Sequence, residues 1–364
     1  MHSLTRLERL ALAAIAVLTA LAGAAEYGTW PAVPRFGLAT LSLAGLAWIV
    51  SFATEQLGER FGPGVTGMLQ STLGNLPELF VVIFALQKGE AVVAQTAIIG
   101  SIFANALLVL GLVLVVGARR APDGIMRFSV KLPKDTATLL QVTVFIIVLL
   151  GLSLAAHDPA SHHVNTISAV GAVCLLIVYG AWVVPYLRSD KAPGAEEAGA
   201  GQGAAAGKRP APRLSLSFTL TLLIVAGASS AFVSDWFVNA LEPAITALNI
   251  TQAFAGLVIV AIAGNAVENV AGLVLAYKGR SDLAISVVKN SVAQIAAFLF
   301  PLLVLVSFAL KTQLTFALAP VYTGALVLTA LVLDQVTGDG EAAEFEGWAL
   351  VALYVILATV TLFE

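Results

Sequence analysis

Long apolar runs recur along the whole chain, and most charged residues fall in the short segments between them. Each run is close to the roughly 20 residues that an α-helix needs to cross the hydrocarbon core of a bilayer. We therefore interpret each run as one membrane helix. The pattern predicts about eleven transmembrane helices, near residues 7–25, 35–56, 64–87, 90–117, 136–156, 164–187, 214–240, 252–277, 283–309, 314–333 and 347–363.

Composition supports a protein that lies in the lipid bilayer. Hydrophobic residues make up 59% of the chain and charged residues 11%, whereas a soluble domain carries about 25% charged residues. The net charge of −3 gives no indication of a nucleic-acid partner. The single cysteine, Cys174, lies in an apolar run, so no intrachain disulfide can form. The expected fold class is an all-α integral membrane protein.

Residues 188–213 divide the chain, because their glycine, alanine and proline content is typical of a flexible linker. Five predicted helices precede the linker in residues 35–187, and five follow it in residues 214–364. Residues 1–30 form an extra N-terminal helix. The sequence around Gly23 resembles a signal-peptidase site, so a cleaved signal is the alternative to the uncleaved helix that we expect.

The basic residues predict an orientation. With the N-terminus in the cytoplasm, only Arg35, Lys88 and Lys311 of the 19 basic residues fall outside. This bias follows the positive-inside rule. We expect a prokaryotic inner (plasma) membrane, with the linker on the cytoplasmic side.

The two halves share a motif, Gly-Asn-x-x-Glu, at residues 74–78 and 264–268. Glu78 and Glu268 are 190 residues apart. The same offset pairs Lys88-Gly89 with Lys278-Gly279, and Ser101 with Ser291. This indicates an internal duplication. Because each half has an odd number of helices, the second copy is inverted relative to the first, as in many secondary transporters.

The motif carries the candidate chemistry. An acidic residue at the centre of a bilayer costs about 2.5–3.5 kcal/mol, so Glu78 and Glu268 should face the interior of the helix bundle. Asn75 and Asn265 precede them by three residues and share their helix faces. Carbonyl groups freed at Gly74 and Gly264 would add oxygen ligands. Calcium takes six to eight oxygen ligands, and no cysteine or histidine is placed to favour zinc or copper.

The next helix of each half supplies further polar side chains. Ser101 and Asn105 share one helix face, and so do Ser291 and Gln294. Polar helix packing is the alternative role for these four residues, and we favour a role in the cation site. Asn290 precedes Ser291 in the position where Gly100 precedes Ser101 in the first half.

At these residues the sequence resembles the calcium/proton exchanger (CAX) family of the cation/calcium exchanger superfamily. The stretches that carry the resemblance are GNLPELFVVIFALQKGE, GSIFANALLVLG, GNAVENVAGLVLAYKGRSD and NSVAQIAAFLFP. The resemblance implies calcium ligation and proton exchange at Glu78 and Glu268, with calcium extruded from the cytosol. It implies supporting roles for Asn75, Asn265, Ser101, Asn105, Ser291 and Gln294.

Three features depart from the family. Asn269 stands where many members have histidine, Pro77 is typical of sodium/calcium exchangers, and the linker has few acidic residues. Sodium or potassium coupling and manganese transport therefore stay open as alternatives. A passive channel is less favoured, because channels present rings of like groups around a symmetry axis.

The sequence shows no nucleophile–base pair and no phosphate-binding glycine loop, so we do not expect an enzyme. Calcium is expected as a transported substrate, and no cofactor is expected. Protons and calcium would compete for the same carboxylates. The expected partners are calcium, protons and the lipid bilayer, and a homo-oligomer is compatible with the sequence.

Overall fold

The computed structural model describes residues 4–28, 30–58, 73–189 and 213–364, and it is helical almost throughout. Its long apolar runs form the helices α1 (Arg6–Tyr27), α2 (Ala32–Gly58), α3 (Leu76–Lys88), α4 (Ala91–Arg120), α5 (Lys131–Ala155), α6 (Val164–Ser189), α7 (Leu216–Leu248), α8 (Gln252–Gly264), α9 (Ala266–Tyr277), α10 (Ser281–Ser307), α11 (Pro320–Thr337) and α12 (Glu344–Leu362). The strands β1 (Ile125–Arg127) and β2 (Glu341–Ala343) pair antiparallel, and a short 3₁₀ helix spans Pro159–His163.

Nine helices among the described residues are long and apolar enough to cross a membrane, and the bent pair α8–α9 makes a tenth span. The all-α membrane fold is therefore confirmed. The predicted helix near 64–87 is described only from residue 73 onward, because residues 59–72 lie outside the described part. The predicted count of eleven stays a prediction. Most of the predicted linker, residues 190–212, also lies outside the described residues.

The first helix packs against the first helix of each half. A Cβ built on Gly23 of α1 would lie 2.9 Å from the ring of Trp236 on α7. A Cβ on Gly45 of α2 would lie 2.9 Å from the side chain of Ile15, so glycine permits close helix contact on both sides. Ser42 and Thr19 add a hydroxyl hydrogen bond of 2.8 Å between α1 and α2.

Helices α4 and α8 cross with their backbones almost in contact. A Cβ built on Gly100 would lie 2.5 Å from the backbone of Leu257, and one on Gly256 would lie 2.0 Å from Thr96 Oγ1. Only glycine fits such contacts. The crossing holds the middle of the first half against the helix that leads to the second motif.

Three helices contain a π-helical segment, which the sequence did not predict. The segments are Ala104–Val109 in α4, Ala255–Val260 in α8 and Ile295–Leu299 in α10. Such segments occur often at functional sites. The segment in α4 contains the candidate site residue Asn105, and the segment in α10 begins directly after the candidate Gln294.

Two predicted helix boundaries are wrong. The helix predicted near 314–333 begins only at Pro320, because Ser307 Oγ and Ser168 Oγ accept hydrogen bonds from the backbone N–H groups of Leu314 and Phe316 and hold that segment outside a helix. The helix predicted near 214–240 continues through Pro243 to Leu248. Burial of apolar side chains beyond residue 240 offsets the hydrogen bond that proline removes.

The strand pair was not predicted either. It joins the loop after α4 to the loop before α12, with Met126 opposite Ala342 and both side chains buried. Two strands of three residues carry too weak an alternating pattern to be recognised in sequence. The ribbon fastens the end of the first half's α4 to the last helix of the second half.

Candidate cation site

Each half breaks its helix at the motif asparagine. Asn75 and Asn265 leave the helical conformation in nearly the same way, with ψ of 5° and 16°. A new helix then begins at Leu76 and at Ala266, and α8 and α9 meet at a bend of 56°. Both motif glutamates therefore fall in the first turn of a helix, where the unpaired N–H groups and the helix dipole favour negative charge.

The Glu78 side chain lies deep inside the protein. It is 1% exposed, and its Cβ lies 3.7 Å from the position that a Cβ would take on Gly264. Glu78 of the first half thus lies beside Gly264, the last residue of α8 in the second half. A small cavity meets it there, lined by Leu43, Pro77, Glu78, Val81, Phe237, Val260, Ala263 and Gly264.

Four of the predicted polar side chains form one buried network across the two halves. Asn105 Nδ2 donates to Asn265 Oδ1 at 2.9 Å and to Ser291 Oγ at 3.3 Å. Asn265 Nδ2 donates to Ser101 Oγ at 2.8 Å. The network ties α4 to the α8–α9 break and to α10, so residues 160 to 186 positions apart are held within hydrogen-bond distance.

Several amide oxygens in this region carry no hydrogen bond. Asn105 Oδ1 and Gln294 Oε1 are buried and accept none from any residue that the structure describes. The same holds for Asn269 Oδ1 and Asn290 Oδ1. An unsatisfied buried acceptor costs about 1–3 kcal/mol. Oxygens directed at a cation would recover that free energy when the cation binds.

The structure brings together part of the predicted set. Glu78, Asn105, Asn265, Ser101 and Ser291 lie around the facing helix breaks, as the preceding contacts show. Gly74, Asn75 and Gln294 are also buried. Glu268 lies in the first turn of α9, and its side chain is outside the described part of the structure.

The described residues contain no group of three or more histidine, cysteine or acidic side chains placed to hold one metal ion. The oxygens gathered here belong mainly to amides and hydroxyls, together with one described carboxylate. Such donors suit a hard cation such as calcium better than zinc or copper. Asn290 was not among the predicted site residues. The sequence showed only that it occupies the position that corresponds to Gly100 in the first half.

Charged residues lie at the turn between α3 and α4. Lys88 Nζ lies 3.2 Å from Asp235 Oδ1 on α7, and it also contacts the Asn239 side chain. Glu90 accepts a hydrogen bond of 2.9 Å from Gln252 at the start of α8. Burial raises the pKa of Glu90, and the nearby charge of Glu242 raises it further. This turn therefore links the end of α3 to α7 and α8.

Comparison with known proteins supports the fold of a membrane cation exchanger. The solved structure of YfkE matches with a TM-score of 0.79 and 24% identity, over 97% of this chain and 100% of that one, which shows the shared fold.

The sequence profile of the family described as sodium/calcium exchanger protein matches residues 32–186 and 218–363. The chain therefore belongs to this family. It is 32% identical to the vacuolar calcium ion transporter of Schizosaccharomyces pombe, over 90% of this chain and 79% of that protein. It is 28% identical to the Ca²⁺/H⁺ antiporter of Aphanothece halophytica, over 92% of this chain and 91% of that protein.

Proposed function

We propose that this chain is a secondary active antiporter that exchanges calcium for protons and normally extrudes calcium from the cytosol. The observation that carries the proposal is the buried Glu78 carboxylate beside Gly264, at the junction of the two halves. An acidic residue buried in a membrane protein needs a cation or a proton to neutralise it. Relatives named as calcium/proton antiporters support calcium and protons as the two ions.

The proposed calcium ligands come from both halves. The two glutamates supply the charge, and the amides, hydroxyls and freed carbonyls complete the coordination shell of six to eight oxygens. The full set is Glu78, Glu268, Asn75, Asn265, Gly74, Gly264, Ser101, Asn105, Ser291 and Gln294. The hydrogen bonds among Ser101, Asn105, Asn265 and Ser291 support this grouping.

Coupling follows from competition for Glu78 and Glu268. Calcium and protons each neutralise the carboxylates, and the empty ionised site is too costly to move between the two membrane faces. Each conversion between inward-facing and outward-facing states would therefore carry either calcium or protons. The matched helix breaks of the two halves supply the alternating elements that such a carrier needs.

The positive-inside bias supports a cytoplasmic N-terminus, and the proposed location is a prokaryotic inner (plasma) membrane. The proposed domains are the extra N-terminal helix at residues 1–30, the first repeat at 35–187, the linker at 188–213 and the second repeat at 214–364. In this arrangement the Lys88 turn lies outside and the corresponding Lys278 turn lies inside. A homo-oligomer is compatible with this arrangement.

The test is calcium uptake into inside-out vesicles that hold an acid interior. Added calcium should enter and dissipate the proton gradient. Glu78→Gln and Glu268→Gln keep the side-chain shape and remove the charge, so each should abolish exchange. Glu242→Gln removes an exposed carboxylate outside the site and should leave exchange unchanged. Full exchange in both motif variants would refute the site.

A second candidate is sodium/calcium exchange, which the family description and Pro77 favour. The same vesicles distinguish the two functions. If calcium moves only when sodium is supplied and the pH gradient is untouched, the coupling ion is sodium. The calcium site would still stand in that case.

A further inference from the structure

A polar stripe runs along α10 from its first turn to the candidate cation site. Asp282, Ser286, Asn290 and Gln294 recur at every fourth residue and so follow one side of the helix. Their exposure falls along the stripe: Asp282 is exposed and Ser286 is partly exposed, while Asn290 is 9% and Gln294 is 3% exposed. Polar oxygens therefore lead from the surface to the site.

The corresponding positions in α4 form no such stripe. They are Val92, Thr96, Gly100 and Ala104. The Thr96 hydroxyl donates back to the carbonyl of Val92 at 2.7 Å, and Gly100 lies against the backbone of Leu257. The first half is thus closed by tight helix packing at the level where the second half carries Asn290.

Asn290 is the residue of the stripe that lacks a structural explanation. Within the described part of the chain, its amide nitrogen makes only a long contact of 3.5 Å with Ser286 Oγ. Its Oδ1 is buried and accepts no hydrogen bond from any described residue. Leaving such an oxygen unsatisfied costs about 1–3 kcal/mol, and the packing of α10 gains nothing evident in return.

We propose that Asn290 Oδ1 is a transient ligand for the divalent cation on a path between the Ser281 end of α10 and the site. The cation exchanges water for the Ser286 and Asn290 oxygens in turn, one helix turn apart, before it reaches Gln294 and Glu78 of the proposed site. A hard cation sheds its water readily only where protein oxygens replace it. The proposal rests on the calcium transport proposed above and adds a step to it.

A path residue and a residue of the final site have different signatures. Removing a path ligand slows the arrival and departure of the cation but leaves the bound state unchanged. Asn290→Leu should therefore lower the calcium flux roughly tenfold, as expected for one lost polar contact, and leave equilibrium calcium affinity unchanged. Asn290→Asp keeps an oxygen at the same position and should retain most of the flux.

The measurements are radioactive calcium flux in proteoliposomes and calcium binding to the purified protein. An unchanged flux in Asn290→Leu would overturn the proposal. A loss of affinity as large as the loss of flux would also overturn it, because Asn290 would then belong to the final site. Thermal unfolding of each variant shows whether it is folded.

A matched pair covers the case in which Asn290→Leu does not fold. Ser286→Val removes a hydroxyl from the stripe, and Thr96→Val removes the hydroxyl at the corresponding position of α4. A flux loss in the first variant alone supports the path, and equal fluxes overturn it. Flux is measured with either protons or sodium as counter-ion, so a wrong coupling ion does not affect the result. A wild-type protein that moves no calcium would instead refute the proposed function itself.

Discussion

The helix pairs α3–α4 and α9–α10 have nearly the same backbone and very different surroundings. Both pairs begin directly after an asparagine at which the helix is broken. Both turn at a glycine with positive φ, 92° at Gly89 and 72° at Gly279. At the residue after that glycine, which directly precedes the second helix, the first pair has Glu90 and the second has Arg280. The conformation is duplicated, but the charge is reversed.

This difference teaches which parts of the duplication both halves need. The break and the turn recur because each half must present its motif glutamate at a helix start. The proposed orientation would put the two turns on opposite sides of the membrane, and different charges at the two turns fit that proposal. The middle of the second helix diverges as well, with Gly100 in one half and Asn290 in the other.

The largest effect is expected from adding a single methyl group to α4. Gly100→Ala would place a Cβ 2.5 Å from the Leu257 backbone, and backbone atoms there have no room to move aside. We expect a loss of about 1–3 kcal/mol in the free energy of unfolding. The measurement is the thermal unfolding midpoint of the detergent-solubilised protein.

Gly180→Ala is the control for that substitution. Gly180 lies in α6, and a Cβ there would meet nothing within 4 Å. Alanine is the better helix former, so this variant should be as stable as the wild type or slightly more stable. Equal stability of the Gly100 and Gly180 variants would contradict the close crossing of α4 and α8.

The sequence predicted the duplicated parts best. Glycines at one offset predicted freed carbonyl groups at Gly74 and Gly264, and the helices of both halves break one residue later, at Asn75 and Asn265. The π-helical segments and the Gly100–Leu257 contact were not predictable, since they depend on how distant helices pack. The segment before Pro320 was wrongly read as helix because its hydropathy does not reveal the side chains that bond its backbone.

The next prediction distinguishes an amide that makes hydrogen bonds within the site from an amide whose oxygen has no described hydrogen bond. Asn105→Leu removes the donor to Asn265 Oδ1 and Ser291 Oγ. It should lower both calcium affinity and stability, the latter by about 1–3 kcal/mol. Gln294→Leu removes an oxygen with no described hydrogen bond, so it should lower calcium affinity without lowering stability. Calcium binding and thermal unfolding of both variants check this.

If Asn105→Leu and Gln294→Leu lower the free energy of unfolding equally, the distinction between hydrogen-bonded and unbonded amides is wrong. Asn105→Asp serves as a second comparison, because it keeps the side-chain shape but loses the amide donor. It should destabilise the calcium-free protein as Asn105→Leu does. Added calcium should restore more of the stability of the aspartate variant.

A smaller effect is expected at the two corresponding lysines. Lys88 pairs with Asp235 at 3.2 Å, with both side chains about one-third exposed or more. Lys278 is exposed and has no ion pair within the described part of the chain. Lys88→Met should cost about 0–1 kcal/mol at low salt and less at high salt, and Lys278→Met should change nothing. Unfolding midpoints at low and high salt provide the measurement. Equal effects at both lysines would contradict a stabilising ion pair between Lys88 and Asp235.

The smallest effect is a change in pH dependence at Glu90. Burial and the neighbouring Glu242 raise the pKa of Glu90 above 4.5 in the folded protein. An acid with a raised folded pKa stabilises the fold below its unfolded pKa, and this contribution is lost as the pH rises through the folded pKa.

Glu90→Gln keeps a hydrogen-bond acceptor for Gln252 and removes the titration. Relative to the wild type, its unfolding midpoint should therefore rise as the pH increases from about 4 towards neutral. Glu242→Gln should reproduce part of this gain, since it removes only the second cause of the shift. Parallel midpoint curves for Glu90→Gln and the wild type would contradict the raised pKa of Glu90.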